Sequence, residues 1–160
     1  MQTLTLSSFA LALATTLPAQ CLFTSVTPTP FGQSCNVAST GFCAVAAFPS
    51  FLLTELDVAN CSLEVDVTAF SGCGATVPLR FLAIGFQSTF VPLPMFGLDC
   101  ALQVDPIAIL TTTGTSMTVA LPPGVQTFQF VAQGVAWSNF PWSPSPDVLA
   151  FTAPYAISLQ

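Results

Sequence analysis

The 160-residue chain has a single basic side chain, Arg80, no His and seven acidic residues, which give a formal net charge of −6 at pH 7. Binding to DNA, RNA or anionic lipid depends on Lys and Arg neutralising phosphates, so this composition excludes those partners. The lack of His excludes Ser-His and Cys-His nucleophiles and histidine metal sites. The length predicts one domain.

The N-terminal residues, MQTLTLSSFALALATTLPAQ, predict a secretory signal peptide. The apolar stretch FALALA is too short to span a membrane, and small and polar residues follow it. We expect residues 1–20 to be removed and residues 21–160 to form the mature domain. The segment lacks the usual Lys or Arg, and the alternative is a first strand or helix of the mature fold. Lipidation of Cys21 is disfavoured because Gln20, rather than a small residue, precedes it.

Further along, residues 62–70, SLEVDVTAF, alternate apolar and polar side chains as a half-buried strand does. The turn sequence SGCGA follows, and the mostly apolar segment 77–86 predicts a second strand. Together these segments predict a β-hairpin. Residues 44–60 are compatible with a strand or a short helix.

The second half of the chain continues this strand pattern. Residues 101–110 predict two strands, or one strand broken at Pro106, and residues 111–121 alternate after Gly114. In 125–137, Phe128, Phe130 and Ala132 share one face, whereas Thr127, Gln129 and Gln133 share the other. Residues 153–160 predict a last strand. Fourteen prolines and nine glycines punctuate these segments, so we expect an all-β single domain, an antiparallel β-sandwich or jelly-roll-like barrel stapled by disulfides.

The longest apolar stretch, residues 77–98, contains Arg80, Gln87 and three prolines. A transmembrane helix needs about 20 uninterrupted apolar residues, so no membrane span is expected. Low charge on such an apolar chain predicts a sticky surface and favours self-association.

An ordered set of short motifs spans nearly the whole mature chain: GQSC (32–35), LAIGF (82–86), PLPMFGLDCAL (92–102), TTTGT (111–115), LPPG (121–124), FQFVAQGVAW (128–137) and FTAPYAISL (151–159). This set resembles the small secreted β-sandwich domains abundant in planctomycete bacteria. The resemblance implies the fold, export and a disulfide between Cys35 and Cys100, and it implies no established activity. The chain departs from the family in four further cysteines and in Ala153-Pro154, where an Asn-Gly-like turn is common.

An even number of cysteines in an exported domain favours disulfides, and six cysteines allow fifteen pairings. The pairing that the resemblance implies, Cys35–Cys100, would close a long loop and stabilise the fold by about 4 kcal/mol. Cys61 and Cys73 flank residues 62–70, which makes a local bridge plausible. Cys21 and Cys43 remain as the third pair.

The acidic residues offer two kinds of site. Glu64 and Asp66 lie two apart on one strand face, a spacing compatible with a glycosidase carboxylate pair. With Glu55 or Asp57 they also resemble a set of Ca²⁺ ligands. The alternative, two solvated side chains on the outer face of a strand, fits the alternating pattern better. We therefore expect no catalytic residue, no metal and no cofactor, and a protein that is not an enzyme.

Three aromatic residues form the other candidate site. Trp137, Trp142 and Tyr155 lie around a Pro/Ser-rich segment, and exposed rings of this kind stack on sugars. The alternative is that these rings cap the end of the core. The sequence predicts an exported, non-enzymatic structural or interaction domain of the cell envelope or extracellular space, with an unidentified protein or glycan partner. A carbohydrate-binding module that uses the aromatic residues is the second hypothesis.

Overall fold

A computed structural model describes residues 20–36, 51–68, 76–93, 100–139 and 147–160. Most of the predicted signal peptide lies outside these residues, as do Cys43, Cys73 and Trp142. Within them the chain is all-β, which confirms the predicted fold class, and this part of the chain has no helix long and apolar enough to cross a membrane. The strands are β1 Val26–Pro30, β2 Cys35–Asn36, β3 Phe51–Asp57, β4 Ser62–Thr68, β5 Thr76–Gly85, β6 Ser88–Pro92, β7 Ala101–Val104, β8 Ala108–Thr112, β9 Ser116–Ala120, β10 Phe128–Asn139, β11 Asp147–Phe151 and β12 Tyr155–Leu159.

The largest sheet is built around β10. On one side the first half of β10 pairs with β12 and its second half with β11, and these two strands extend to β1 and β2. On the other side β10 pairs with β5, and β5 pairs with β8, which is the last described strand at that edge. All of these pairings are antiparallel. The long apolar run of β10 therefore forms the centre of the sheet.

A smaller antiparallel sheet, in the order β3-β4-β9, packs against this large sheet. Leu63, Val65 and Val67 of β4 are fully buried, whereas Glu64 is exposed, which confirms the strand predicted from the alternation. The predicted hairpin between this strand and the next is wrong. β4 and β5 belong to different sheets because β4 pairs with β3 and β9, which lie before and after the predicted pair in the chain.

Two hydrophobic clusters lie on opposite faces of the large sheet. The main cluster fills the space between the two sheets and includes Phe130, Ala132 and Ala136 of β10. The second cluster contains Cys35, Cys100, Val135 and Phe151. The hairpin of β6 and β7 contributes to this side through contacts of β7 with β10. The fold is thus a β-sandwich with a hairpin on its outer face, and residues 132–136 of β10 are buried on both sides.

Gln133 of β10 is fully buried, contrary to the polar face predicted for it. Its Oε1 accepts a hydrogen bond from the Gln103 backbone N–H at 2.8 Å. Its Nε2 donates to the carbonyls of Ala101 at 3.2 Å and Thr152 at 3.1 Å. The amide thus joins the hairpin, β10 and the connection between β11 and β12, where β10 changes partners.

Two disulfides join the described cysteines. The Cys35–Cys100 bridge is confirmed, with a Cα–Cα distance of 5.0 Å. Cys21 pairs with Cys61, also at a Cα–Cα distance of 5.0 Å, so the predicted Cys61–Cys73 and Cys21–Cys43 bridges are wrong. Cys61 lies directly before β4, and the residues of that strand carry the chain about 20 Å away from it. The N-terminal segment runs beside Cys61 instead. Disulfides of this kind indicate an oxidising, extracytoplasmic environment.

Candidate functional site

The carboxylates singled out from the sequence lie on the outer face of the small sheet. Glu64 pairs in register with Glu55 of β3, and Asp66 pairs with Leu53. Among the residues that the structure describes, no group of three or more His, Cys, Asp or Glu side chains is placed to hold a metal ion. Asp57 ends β3, and hydrogen bonds from the Asn60 side chain and backbone lower the pKa of its carboxyl group. Its role is that of a turn residue between β3 and β4.

The predicted aromatic site is not assembled from the two described members of the set. Tyr155 packs against the main cluster, on the side of β12 that faces the small sheet. Trp137 lies two residues after Val135 on β10 and therefore faces the opposite side of the large sheet. Trp142 lies outside the described residues. Because Trp137 and Tyr155 occupy opposite faces, they do not form one stacking surface, and glycan binding stays a prediction.

The only cationic side chain is used inside the sandwich. Arg80 of β5 is 8% exposed, and its Nε donates to the Val67 carbonyl at 3.0 Å. Its NH1 donates to the carbonyl of Gly114 at 2.8 Å and to that of Val77 at 3.4 Å. Arg80 thereby ties β4 and the turn between β8 and β9 to the large sheet. Since this guanidinium is buried, the formal charges at the protein surface are acidic.

An apolar groove opens where the two sheets diverge, and sequence reasoning did not find it. Strand β8 ends the large sheet and β9 ends the small sheet, and a short turn at Gly114 connects them. The gap between the two edges, called here the β8–β9 groove, has a volume of about 260 Å³. Its lining comprises Ile84, Phe86, Ile107, Ala108, Leu110, Thr118, Val119, Ala120, Pro122, Phe128 and Phe130.

Aromatic rings form one wall of the groove. The Phe86 and Phe128 rings meet edge to face at 6.0 Å, and the Phe128 and Phe130 centroids are 5.9 Å apart. Phe86 is nevertheless 59% exposed, and Ile107 at the mouth is 64% exposed. Such a lining recognises an apolar group through shape and burial, because it presents few hydrogen-bonding partners.

Exposed apolar side chains continue from the groove along β8. Ile109, on the other face of this strand, is 60% exposed. The segment 106–114 contains no charged residue, and Pro106 stands before the strand rather than in it. Edge strands usually carry charges or Pro that prevent pairing with another chain. Within the described ranges β8 has β5 as its sole strand partner, so no described strand covers its other edge.

Comparisons with family models, curated proteins and solved structures return no match to this chain. The resemblance to planctomycete secreted domains therefore stays a prediction. The groove could have been suspected from the uncharged run 107–112, but a strand edge is visible only once the pairing is known.

Proposed function

We propose that this protein is an exported, non-enzymatic interaction domain that binds a protein partner at the β8–β9 groove. The observation that carries the proposal is the apolar groove itself, flanked by two sheet edges. Single exposed apolar residues are normal on protein surfaces, whereas a contiguous set beside a concave apolar site is typical of binding sites.

The distribution of charge supports this location. The acids of β3 and β4 lie on the small sheet, away from the groove lining, and the lining contains no charged side chain. Charge is depleted at the centre of protein–protein interfaces for the same physical reason, since burying an unpaired charge is costly. The sandwich thus combines an apolar binding edge with an acidic outer face.

Export rests on two observations. The described disulfides require an oxidising compartment to persist, and Cys21 of one bridge directly follows the predicted cleavage point. The bridge to Cys61 would hold the new N-terminus against the sandwich after cleavage. We place the mature domain at the cell envelope or in the extracellular space.

Site-specific photocrosslinking in the producing cells tests this function. A benzophenone amino acid replaces Ile107 at the groove mouth, and a matched variant carries it in place of the exposed Glu64 on the small sheet. We expect discrete crosslinked products from position 107 and none from position 64. Equal patterns from both positions, or no product from position 107, would refute the proposal.

A further inference from the structure

We infer that the occupant of the β8–β9 groove is an extended peptide segment of a partner protein, which adds as a strand to β8 and inserts one bulky apolar side chain into the groove. This inference rests on the proposed function and names the chemistry of the partner. Its first support is the coincidence of a strand edge that no described strand covers with an apolar cavity, the combination that strand-adding recognition sites use.

The edge of β8 supplies the backbone part of this recognition. In an antiparallel strand, alternate residues direct their N–H and C=O groups towards the neighbour on each side. About two or three of the five residues Ala108–Thr112 therefore present both groups away from β5. An incoming antiparallel or parallel strand satisfies these groups without any rearrangement of the large sheet.

The groove supplies the side-chain part. Residues Ala108 and Leu110 alternate onto the face of β8 that lines the groove, whereas Ile109 points to the other face. A strand next to β8 directs every second side chain to the same face, over the cavity. A volume of about 260 Å³ walled by Phe86, Phe128 and Val119 accommodates one large aliphatic or aromatic anchor.

Charge complementarity decides between a partner peptide and a second copy of this chain. Exposed Asp105 lies just before the groove residue Ile107, and its backbone N–H donates to the Gln87 carbonyl at 3.0 Å. The backbone carbonyl of Asp105 lies so close to Gly85 that a Cβ added to Gly85 would overlap it. This carboxylate favours a Lys or Arg in the ligand. A second copy offers no Lys, and its only Arg is buried, so the matching segment comes from a different protein and carries a Lys or Arg of its own.

The test uses the disulfide-bonded protein and a synthetic peptide of alternating Thr and Val with one central Phe and a Lys at each end. We expect calorimetry to detect binding of this peptide. Replacement of its central Phe by Ala should weaken the binding about tenfold or more. Hydrogen exchange should slow at the outward-facing amides of Ala108–Thr112 and stay unchanged in β9. A peptide with Pro at alternate positions should not bind, because it cannot form the ladder.

Two protein variants locate the anchor. Ala108→Phe fills the groove from an exposed position and should abolish the preference for the Phe peptide, whereas Leu53→Thr, at an exposed position of the small sheet outside the groove lining, should leave it unchanged. Asp105→Asn should weaken binding about threefold at low salt and have no effect at high salt. Thermal melting verifies that each variant is folded.

The outcomes separate this inference from the proposed function. Equal binding of the Pro peptide, protection on β9, or full binding by Ala108→Phe overturns strand addition at β8. If crosslinking at position 107 still yields a partner, the interaction function stands and only the mode of recognition fails. A crosslinked product that is a dimer of this chain would overturn the assignment of a basic foreign segment.

Discussion

Replacement of Gln133 by Leu removes the amide that joins the β6–β7 hairpin to β10 and to the connection between β11 and β12. Leucine is of similar size, so the change deletes hydrogen bonds with little change in volume. The Gln103 N–H loses its acceptor, and the carbonyls of Ala101 and Thr152 lose a donor. Because the position is fully buried, water cannot replace these bonds without opening the contact between the hairpin and β10.

The expected loss follows from this inventory. A buried polar group left without a partner costs about 1–3 kcal/mol, and three groups are affected. The more apolar leucine side chain returns about 1–2 kcal/mol through burial. We therefore expect Gln133→Leu to lower the free energy of unfolding by about 3 kcal/mol.

Urea unfolding with the disulfides intact measures this change. A second glutamine of β10, Gln129, provides the matched control. Gln129 lies on the same face of the same strand, but it is exposed and its Nε2 donates to the Ser158 hydroxyl at 3.2 Å. Gln129→Leu should change the free energy of unfolding by less than about 0.5 kcal/mol. A Gln133→Leu protein within about 1 kcal/mol of the wild type, or equal losses in both variants, would refute the reasoning.

Three other predictions concern charge and disulfides. Arg80→Met should lower the free energy of unfolding by about 2–4 kcal/mol in urea, because it leaves the Val67 and Gly114 carbonyls without their donor; a loss below about 1 kcal/mol would contradict that role. The lowered pKa of Asp57 contributes stability that is present above the ordinary aspartate pKa of about 3.9 and is lost as the pH falls through the lower folded value. The urea midpoint of Asp57→Asn should therefore depend less on acidification than that of the wild type, and parallel curves would count against this. The denatured, unreduced protein should titrate at most two thiols with Ellman's reagent, and six after reduction; four or more before reduction would disprove the two described bridges.

Much of the strand content follows from local pattern. The alternation of residues 62–70 and of residues 125–137 predicts strands that the structure contains as β4 and β10. Prolines and glycines mark many of the breaks between strands, and Pro106 separates β7 from β8 as predicted. These features are readable because a side chain on a strand alternates faces whatever the strand pairs with.

Only the tertiary structure shows which strands pair with each other and which strands are covered on both faces. Alternation reports that one face of a strand is buried, and it carries no information on which strand lies alongside or on what covers the other face. Hence β4 and β5, adjacent in sequence, lie in different sheets, and Gln133 is buried because the hairpin of β6 and β7 packs beside it.

The sequence by itself determined that the chain has one cationic side chain, Arg80, no histidine chemistry and an all-β pattern. The tertiary structure decided that Cys21 meets Cys61, that the predicted aromatic residues Trp137 and Tyr155 face opposite ways, and that β8 and β9 diverge around an apolar groove. The reason is physical: each of these features joins segments far apart in the chain, and their distance is set by strand pairing rather than by neighbouring residues.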